Sequence, residues 1–257
     1  MKRLACMLLA LLSMVIARPG EAASGITIAA AADLKFAMDG IVARFRQAMP
    51  GSRIEVIYGS SGKFHAQIRQ GAPYDLFFSA DIAFPRALAA EGLAASDVRP
   101  YAVGRLALWS PSRDARGMAL ADLADPSIRR IAIANPKHAP YGRRAEEALR
   151  AAGVWEKVAS KLVFGENVAQ AAQYVQTGNA DVGILALSLA LSPELAGRGG
   201  HALVPDHLHP PLEQGFIVTK RAAGNALAGK FADFMESPEA RAILNRHGFA
   251  LPGEMGK

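Results

Sequence analysis

Four times along this chain a short apolar run passes into an amphipathic one through a turn of small and polar residues. That recurrence limits the possible folds more than any other feature. The turns are Ala30-Ala31-Ala32-Asp33, Gly59-Ser60-Ser61-Gly62, Ala139-Pro140-Tyr141-Gly142 and Gly165-Glu166-Asn167-Val168. Ahead of the first, residues 26–30 have the length and composition of a buried strand. Behind it, Leu34, Met38, Ile41, Val42 and Phe45 recur at helical spacing as far as Met49, with Asp33 placed as an N-cap and Pro50-Gly51 as a stop. The same reading predicts strands at 54–58, 74–78, 131–134, 182–186 and 216–219 and one longer strand over 101–109. It predicts helices ending at Gln70 and Ala90, and further helices at 142–152, 167–177, 222–235 and 238–246. Strands alternating with helices define an α/β fold with mostly parallel sheets.

Composition narrows the class further. The chain has 257 residues, 51% of them hydrophobic and 20% charged, enough for one large domain or two modest ones with a real core. A single Cys excludes an internal disulfide framework and a Cys-rich zinc site. The net charge of +6 is dispersed, with no Lys/Arg block longer than two residues, so nothing argues for a nucleic-acid partner. Lys2 and Arg3 precede an apolar run from Leu4 to Ala17, and Arg18-Pro19-Gly20-Glu21-Ala22-Ala23 follows. This is the pattern of a secretory signal peptide over 1–22, cut after Ala22, for export to the periplasm. The run is shorter than the roughly 18 apolar residues of a membrane anchor. Cys6 sits near its start rather than its end, against a lipoprotein. Removing the segment takes away the Cys and lowers the net charge to +4.

A helix start presents unpaired backbone N–H groups and the positive end of the helix dipole, and both suit an anion. In open α/β sheets, ligands sit at the carboxyl ends of strands. Several such starts converging on one cleft would hold an anion through neutral donors; as single turns they are ordinary features of α/β domains. Lys35, Lys63, Lys137 and His138 lie near these turns, as solvated surface charge or as a rim attracting anions. Enzymatic motifs are incomplete. Gly59-Ser60-Ser61-Gly62-Lys63 has Ile57 where a phosphate loop needs its first Gly and Phe64 where it needs Ser or Thr, and it lacks the spacing of a hydrolase elbow. His201, His207, His209 and Asp206 fall in a Pro-rich loop without metal-ligand spacing, and Asp75 and Asp81 read as strand-end caps. A secreted hydrolase using these groups is a distant alternative.

Taken in order, several segments resemble the periplasmic molybdate-binding proteins. They are Ala30-Ala31-Ala32-Asp33-Leu34 with Phe36-Ala37-Met38, Gly59-Ser60-Ser61-Gly62, the run from Gly71-Ala72-Pro73-Tyr74-Asp75 to Ser79-Ala80-Asp81, Asn135 to Gly142, Glu166-Asn167-Val168, and Arg246-His247-Gly248-Phe249. The resemblance covers essentially the whole chain beyond the leader. It implies a two-lobed α/β protein of the type II periplasmic-binding class, with the ligand in the cleft between lobes. The chain would cross between lobes twice, near 101–105 and 213–216, giving one lobe of 24–102 plus 215–257 and another of 103–214. It implies a receptor, not an enzyme, without a cofactor. The receptor would act as a monomer and deliver molybdate or tungstate to an ABC permease and its ATPase. Carried over by position, Ser61 donates its hydroxyl and amide, and Tyr141 and Val168 donate backbone amides, to the oxyanion; no residue ligates a metal ion directly.

Two further site positions depart from the pattern, since some members have Ser at Asp33 and Tyr at Ala186. Ser188 or a water would then replace the missing hydroxyl. Asp33 is the greater difficulty, because two unit charges ~4 Å apart interact by about 4 kcal/mol at an effective dielectric of 20, and a dianion doubles this. Its carboxylate could cap its own helix, pair with Lys35 or Lys63, or accept a proton from a protonated oxyanion. The last would favour phosphate-like or other oxyanions, sulfate or a small organic anion.

Overall fold

The computed structural model describes residues 25–253, so the leader expected over 1–22 lies outside the described residues. The chain runs β1 (Ile26–Ala31), α1 (Lys35–Ala48), β2 (Ile54–Gly59), α2 (Ser61–Arg69), β3 (Leu76–Ser79), α3 (Ala83–Ala90) and β4 (Arg99–Gly104). It continues through β5 (Leu106–Ser110), β6 (Ile131–Ala134), α4 (Pro140–Ala151), α5 (Trp155–Val158), β7 (Leu162–Gly165), α6 (Val168–Gln176), β8 (Val182–Ala186), α7 (Leu187–Ala190) and β9 (Gly200–Leu203). It returns through β10 (Leu212–Val218), α8 (Ala226–Phe234) and α9 (Pro238–Arg246).

The strands form two five-stranded sheets, β2-β1-β3-β10-β4 and β7-β6-β8-β5-β9, one per lobe. In the first, β1 pairs in parallel with β2 and β3, while β10 runs antiparallel to both β3 and β4. The second repeats the plan, with β6 parallel to β7 and β8 and β5 antiparallel to β8 and β9. Both sheets are therefore mixed, with one reversed strand each.

The single strand expected over 101–109 is two strands in different sheets, broken at Arg105. Periodicity could not show the break, because both halves are buried and apolar. At the break the Arg105 guanidinium donates to the Gly248 carbonyl at 2.9 and 3.1 Å, and the Arg105 carbonyl accepts from Leu187 N at 2.9 Å. The return passage lies between β9 and β10. Residues 102–104 and 212–214 pair with each other in the first sheet. β7 and β9, which periodicity did not reveal, are edge strands that remain partly exposed, and Phe164 is 47% exposed. Edge strands need no strong apolar pattern because only part of their surface meets the core.

Each face of the first sheet has its own core. Leu34, Met38, Phe45, Phe78, Phe216 and Phe231 fill one side. Phe64, Ile68, Phe77, Leu88 and Ile217 fill the other. Neighbours in a strand point to opposite faces, so Phe77 and Phe78 divide between the two, as do Phe216 and Ile217. A sheet covered on both faces requires continuous apolar strands, which is why all four residues of β3 are buried. The second lobe is built around Leu106, Trp109, Ile133, Leu149, Val175 and Ile184. Ala31, Ala32 and Ala80 of the first lobe pack into that same cluster, so the lobes are closed on each other.

Candidate functional site

The carboxyl ends of β1, β2, β6 and β7 meet in the cleft, and each leads directly into a helix start. Together they form a cavity lined by Ala31, Ala32, Asp33, Gly59, Ser60, Ser61, Ala80, Ala139, Pro140, Tyr141, Asn167 and Val168. All four turns singled out in the sequence contribute to it. No Lys, Arg or His is in this lining, and Asp33 is its one ionisable carboxyl. The many Ala and Gly residues bring backbone, rather than side chain, up to the cavity.

Local chemistry leaves donors available. The α2 and α4 starts carry no side-chain cap from Ser60 or Ala139, and Pro140 at the first turn of α4 has no N–H to satisfy. Asn167 caps α6 by accepting from Gln170 N, which leaves the N–H of Val168 uncapped. The Ser61 hydroxyl oxygen accepts from Ala80 N at 3.0 Å, so its position is fixed while its own proton stays available. Gly142 and Gly165 permit close packing at the second-lobe turns, since a Cβ on either would run into backbone of Ala134 or Ala171.

Of the five positions expected to meet an anion, Asp33, Ser61, Tyr141 and Val168 line the cavity. Ala186 does not; it is fully buried at the end of β8, paired with Leu106. Nor does Ser188 offer the cavity a replacement hydroxyl proton, because it donates across the cleft to the Asp33 carbonyl at 2.8 Å.

Asp33 answers to none of its expected partners. It is the middle residue of a 3₁₀ turn, Ala32–Leu34, ahead of α1, so it is not the helix cap. Lys35 pairs with Asp39 at 3.1 Å and Lys63 pairs with Glu166, which leaves neither for Asp33. Instead, the Gln214 amide on β10 donates to Asp33 Oδ2 at 2.7 Å and lies 3.3 Å from the Tyr141 hydroxyl, while Gln214 Oε1 accepts from the Tyr101 hydroxyl at 2.6 Å. Asp33 Oδ1 is buried without a hydrogen-bond partner. Burial raises the Asp33 pKa to about 6, offset only in part by the Gln214 and Tyr141 groups beside it. Burial, reinforced by the nearby Asp33 charge, drives Tyr101 and Tyr141 well above their ordinary range. Gln214 had no signal in the sequence, because it is a polar residue next to an apolar run and only β10 pairing turns it inward. Gly104 makes room for this cluster, since a side chain there would collide with the Tyr141 hydroxyl and the Gln214 amide.

A second set of contacts clasps the lobes at the rim. Gly62 N and the Ser60 hydroxyl both donate to the His138 carbonyl, at 3.0 and 2.6 Å. With that proton committed, Ser60 Oγ accepts from His138 Nδ1 at 3.0 Å, which fixes the proton on that nitrogen. Burial lowers the His138 pKa, keeping the ring neutral. Lys63 and Glu166 complete the clasp. A Cβ on Gly62 would stand 2.5 Å from the His138 carbonyl oxygen, so the absence of a side chain is what lets the lobes meet here.

Residues 26–250 match the model of the bacterial extracellular solute-binding proteins. The chain belongs to that family. It is 38% identical to the molybdate-binding protein ModA of Rhodobacter capsulatus, over 93% of each chain. It is 34% identical to ModA of Azotobacter vinelandii, over 89% of this chain and 91% of the relative. The solved periplasmic molybdate-binding protein of Azotobacter vinelandii superposes with a TM-score of 0.81 at 32% identity, covering 88% of this chain and 99% of that one. The fold is thus the two-lobed type II periplasmic-binding class. Asp75 accepts from Thr27 N at 2.8 Å and Asp81 from Ala83 N at 2.9 Å, so both act as backbone caps, and Asp81 also faces Arg143 and Arg144 of α4 at 3.7 and 3.9 Å. Among the described residues no group of three or more His, Cys, Asp or Glu side chains is placed to hold a metal ion.

Proposed function

We propose that this protein is a periplasmic receptor that captures molybdate, and tungstate alongside it, and delivers the anion to an ABC permease driven by its separate ATPase. The carrying observation is the cavity itself: four helix starts and the Ser61 hydroxyl converge on it, and no cationic side chain lines it. Such a site binds a fully charged tetrahedral oxyanion through preoriented dipoles without an opposite charge. In this reading Ser61 supplies its hydroxyl and amide, and Tyr141 and Val168 supply amides. Asp33 lies at the back of the site and Ala186 contributes no donor. The identity to molybdate-binding relatives supports the choice of anion. The protein acts as a monomer, with its two lobes closing on the ligand. The closed surface is what docks the permease, and no hydrolytic chemistry is involved.

A thermal-shift series with molybdate, tungstate, sulfate, phosphate and chromate tests this. Ligand at 100 times its dissociation constant adds about 2.7 kcal/mol to the native state, which raises Tm by several degrees. Micromolar molybdate and tungstate are expected to do so, and sulfate and phosphate are not. No shift with either of the first two ends the proposal.

A further inference from the structure

The cavity and the Gln214–Tyr101 pair behind it share one side chain, Asp33. Its residue lines the cavity, is 1% exposed, and holds one carboxyl oxygen on Gln214 and the other on nothing. The 3₁₀ turn bearing it packs against β2, α1, α6 and α7. None of these brings it a cation. Lys35 of α1 is taken by Asp39; Tyr58 of β2 donates to Asp39 and lies 3.3 Å from the Lys35 carbonyl; Glu55 of β2 is exposed. On α6 the one titratable residue is Tyr174, and α7 has none. From β4 and α4 the facing groups are the phenols of Tyr101 and Tyr141, both neutral. An ionised Asp33 would therefore share the cavity with an anion and no positive charge. The backbone N–H groups of Asp33 and Leu34 also act on this carboxyl, but with Gln214 and Tyr141 they offset its burial only in part.

We propose that the protein captures its oxyanion together with one proton, and that Asp33 holds that proton in the closed complex. The step combines an Asp33 carboxylate, a dianion and a proton from solvent. One O–H bond forms on the carboxyl, no bond in the anion breaks, and the charge of the pair falls from three negative to two. Since Oδ2 accepts from Gln214, the proton goes to Oδ1, the oxygen with no partner, and turns it from an orphan acceptor into a donor. The burial that already favours the protonated form in the empty site is deepened by the arriving anion. Asp33 thereby sets the charge the cavity accepts, and the receptor gains affinity as its surroundings acidify.

This rests on the reading of the cavity as an oxyanion site, and the experiment separates the two. Titration calorimetry of the protein with molybdate at pH 8, in Tris and in HEPES, measures protons taken up from the difference in buffer ionisation enthalpy. About one proton per anion is expected. The dissociation constant is expected to rise about tenfold per pH unit above about pH 6 and to flatten below it, a range in which molybdate itself does not titrate. Asp33→Asn, which keeps an acceptor for Gln214 but cannot ionise, is expected to bind with no proton uptake and a flat pH profile. At pH 8 it should bind at least tenfold more tightly than the wild type. Wild-type binding of molybdate without proton uptake at pH 8 overturns this proposal and leaves the receptor reading standing, whatever the variant does. Failure to bind molybdate or any other oxyanion of the series at any pH overturns both.

Discussion

The two lobes repeat one strand order, yet they furnish opposite walls of the cavity by different chemistry. At the ends of β1 and β2 the first lobe presents side chains: the Asp33 carboxyl and the Ser61 hydroxyl. At the equivalent ends of β6 and β7 the second lobe presents backbone, because Ala139 has no side chain to cap α4 and Asn167 spends its side chain capping α6. A shared topology places a helix start at each strand end; the capping residue then decides whether a side chain or an amide faces the ligand. The lobes also differ in charge. The ionisable group of the first is buried in the cavity wall, whereas the charges of the second, such as Glu166, stay at the rim.

The sharpest way to test that difference is the charge in the first wall. A carboxyl whose folded pKa lies above its unfolded one binds its proton more tightly when folded. It therefore costs stability above about pH 6, and the cost fades as the pH falls toward the unfolded value of about 3.9. Asp33→Asn is expected to stabilise the ligand-free protein by about 3 kcal/mol at pH 8, shrinking to nothing below about pH 4, as read by urea denaturation at the two pH values. Equal stabilities at pH 8 would mean that the wall carries no buried charge.

Backbone against side chain is the next comparison. Val168 is the first residue of α6, and Asn167 before it is extended at φ −147° and ψ 177°, so proline fits at 168 and removes only the N–H. Val168→Pro is expected to weaken molybdate binding by about 2 kcal/mol, roughly thirtyfold, while Val168→Ala leaves it within twofold. In the first lobe the side chain itself matters, and Ser61→Ala alone is expected to cost about 1.5 kcal/mol in affinity. Calorimetry on the three variants decides; a large effect of Val168→Ala would erase the distinction between the walls.

The clasp gives the smaller effects. Gly62→Ala forces the His138 carbonyl to move, and an affinity loss of about 1 kcal/mol is expected. Lys63→Ala removes a half-exposed ion pair with Glu166, and the expected change is below about 1 kcal/mol and vanishes at high salt.

Much of the fold was legible along the chain because both sheets are covered on their faces, so strands such as β6 and β8 stand out as short apolar runs between helical repeats. The convergence of four turns on one cavity was also legible, since strand-to-helix handovers fall at the same end of a parallel sheet. Arg105 shows where that ended. Two buried strands on either side of a single residue look like one, and only pairing with different partners separates them. The short edge strands β7 and β9 escaped because they bury too little to leave a pattern.

Asp33 divides the two kinds of knowledge most clearly. Its sequence position, at a strand-to-helix turn, already placed an acid beside an anion site and posed the electrostatic difficulty. Its surroundings were set by residues 101, 141 and 214, scattered along the chain and joined by the pairing of β4 with β10 and, for Tyr141, by lobe closure. Local pattern determines which segments become strands and helix starts, because those depend on spacing over a few residues. Which groups share a buried, low-dielectric space depends on how distant segments pack, and that alone left this carboxyl with neutral partners and a raised pKa.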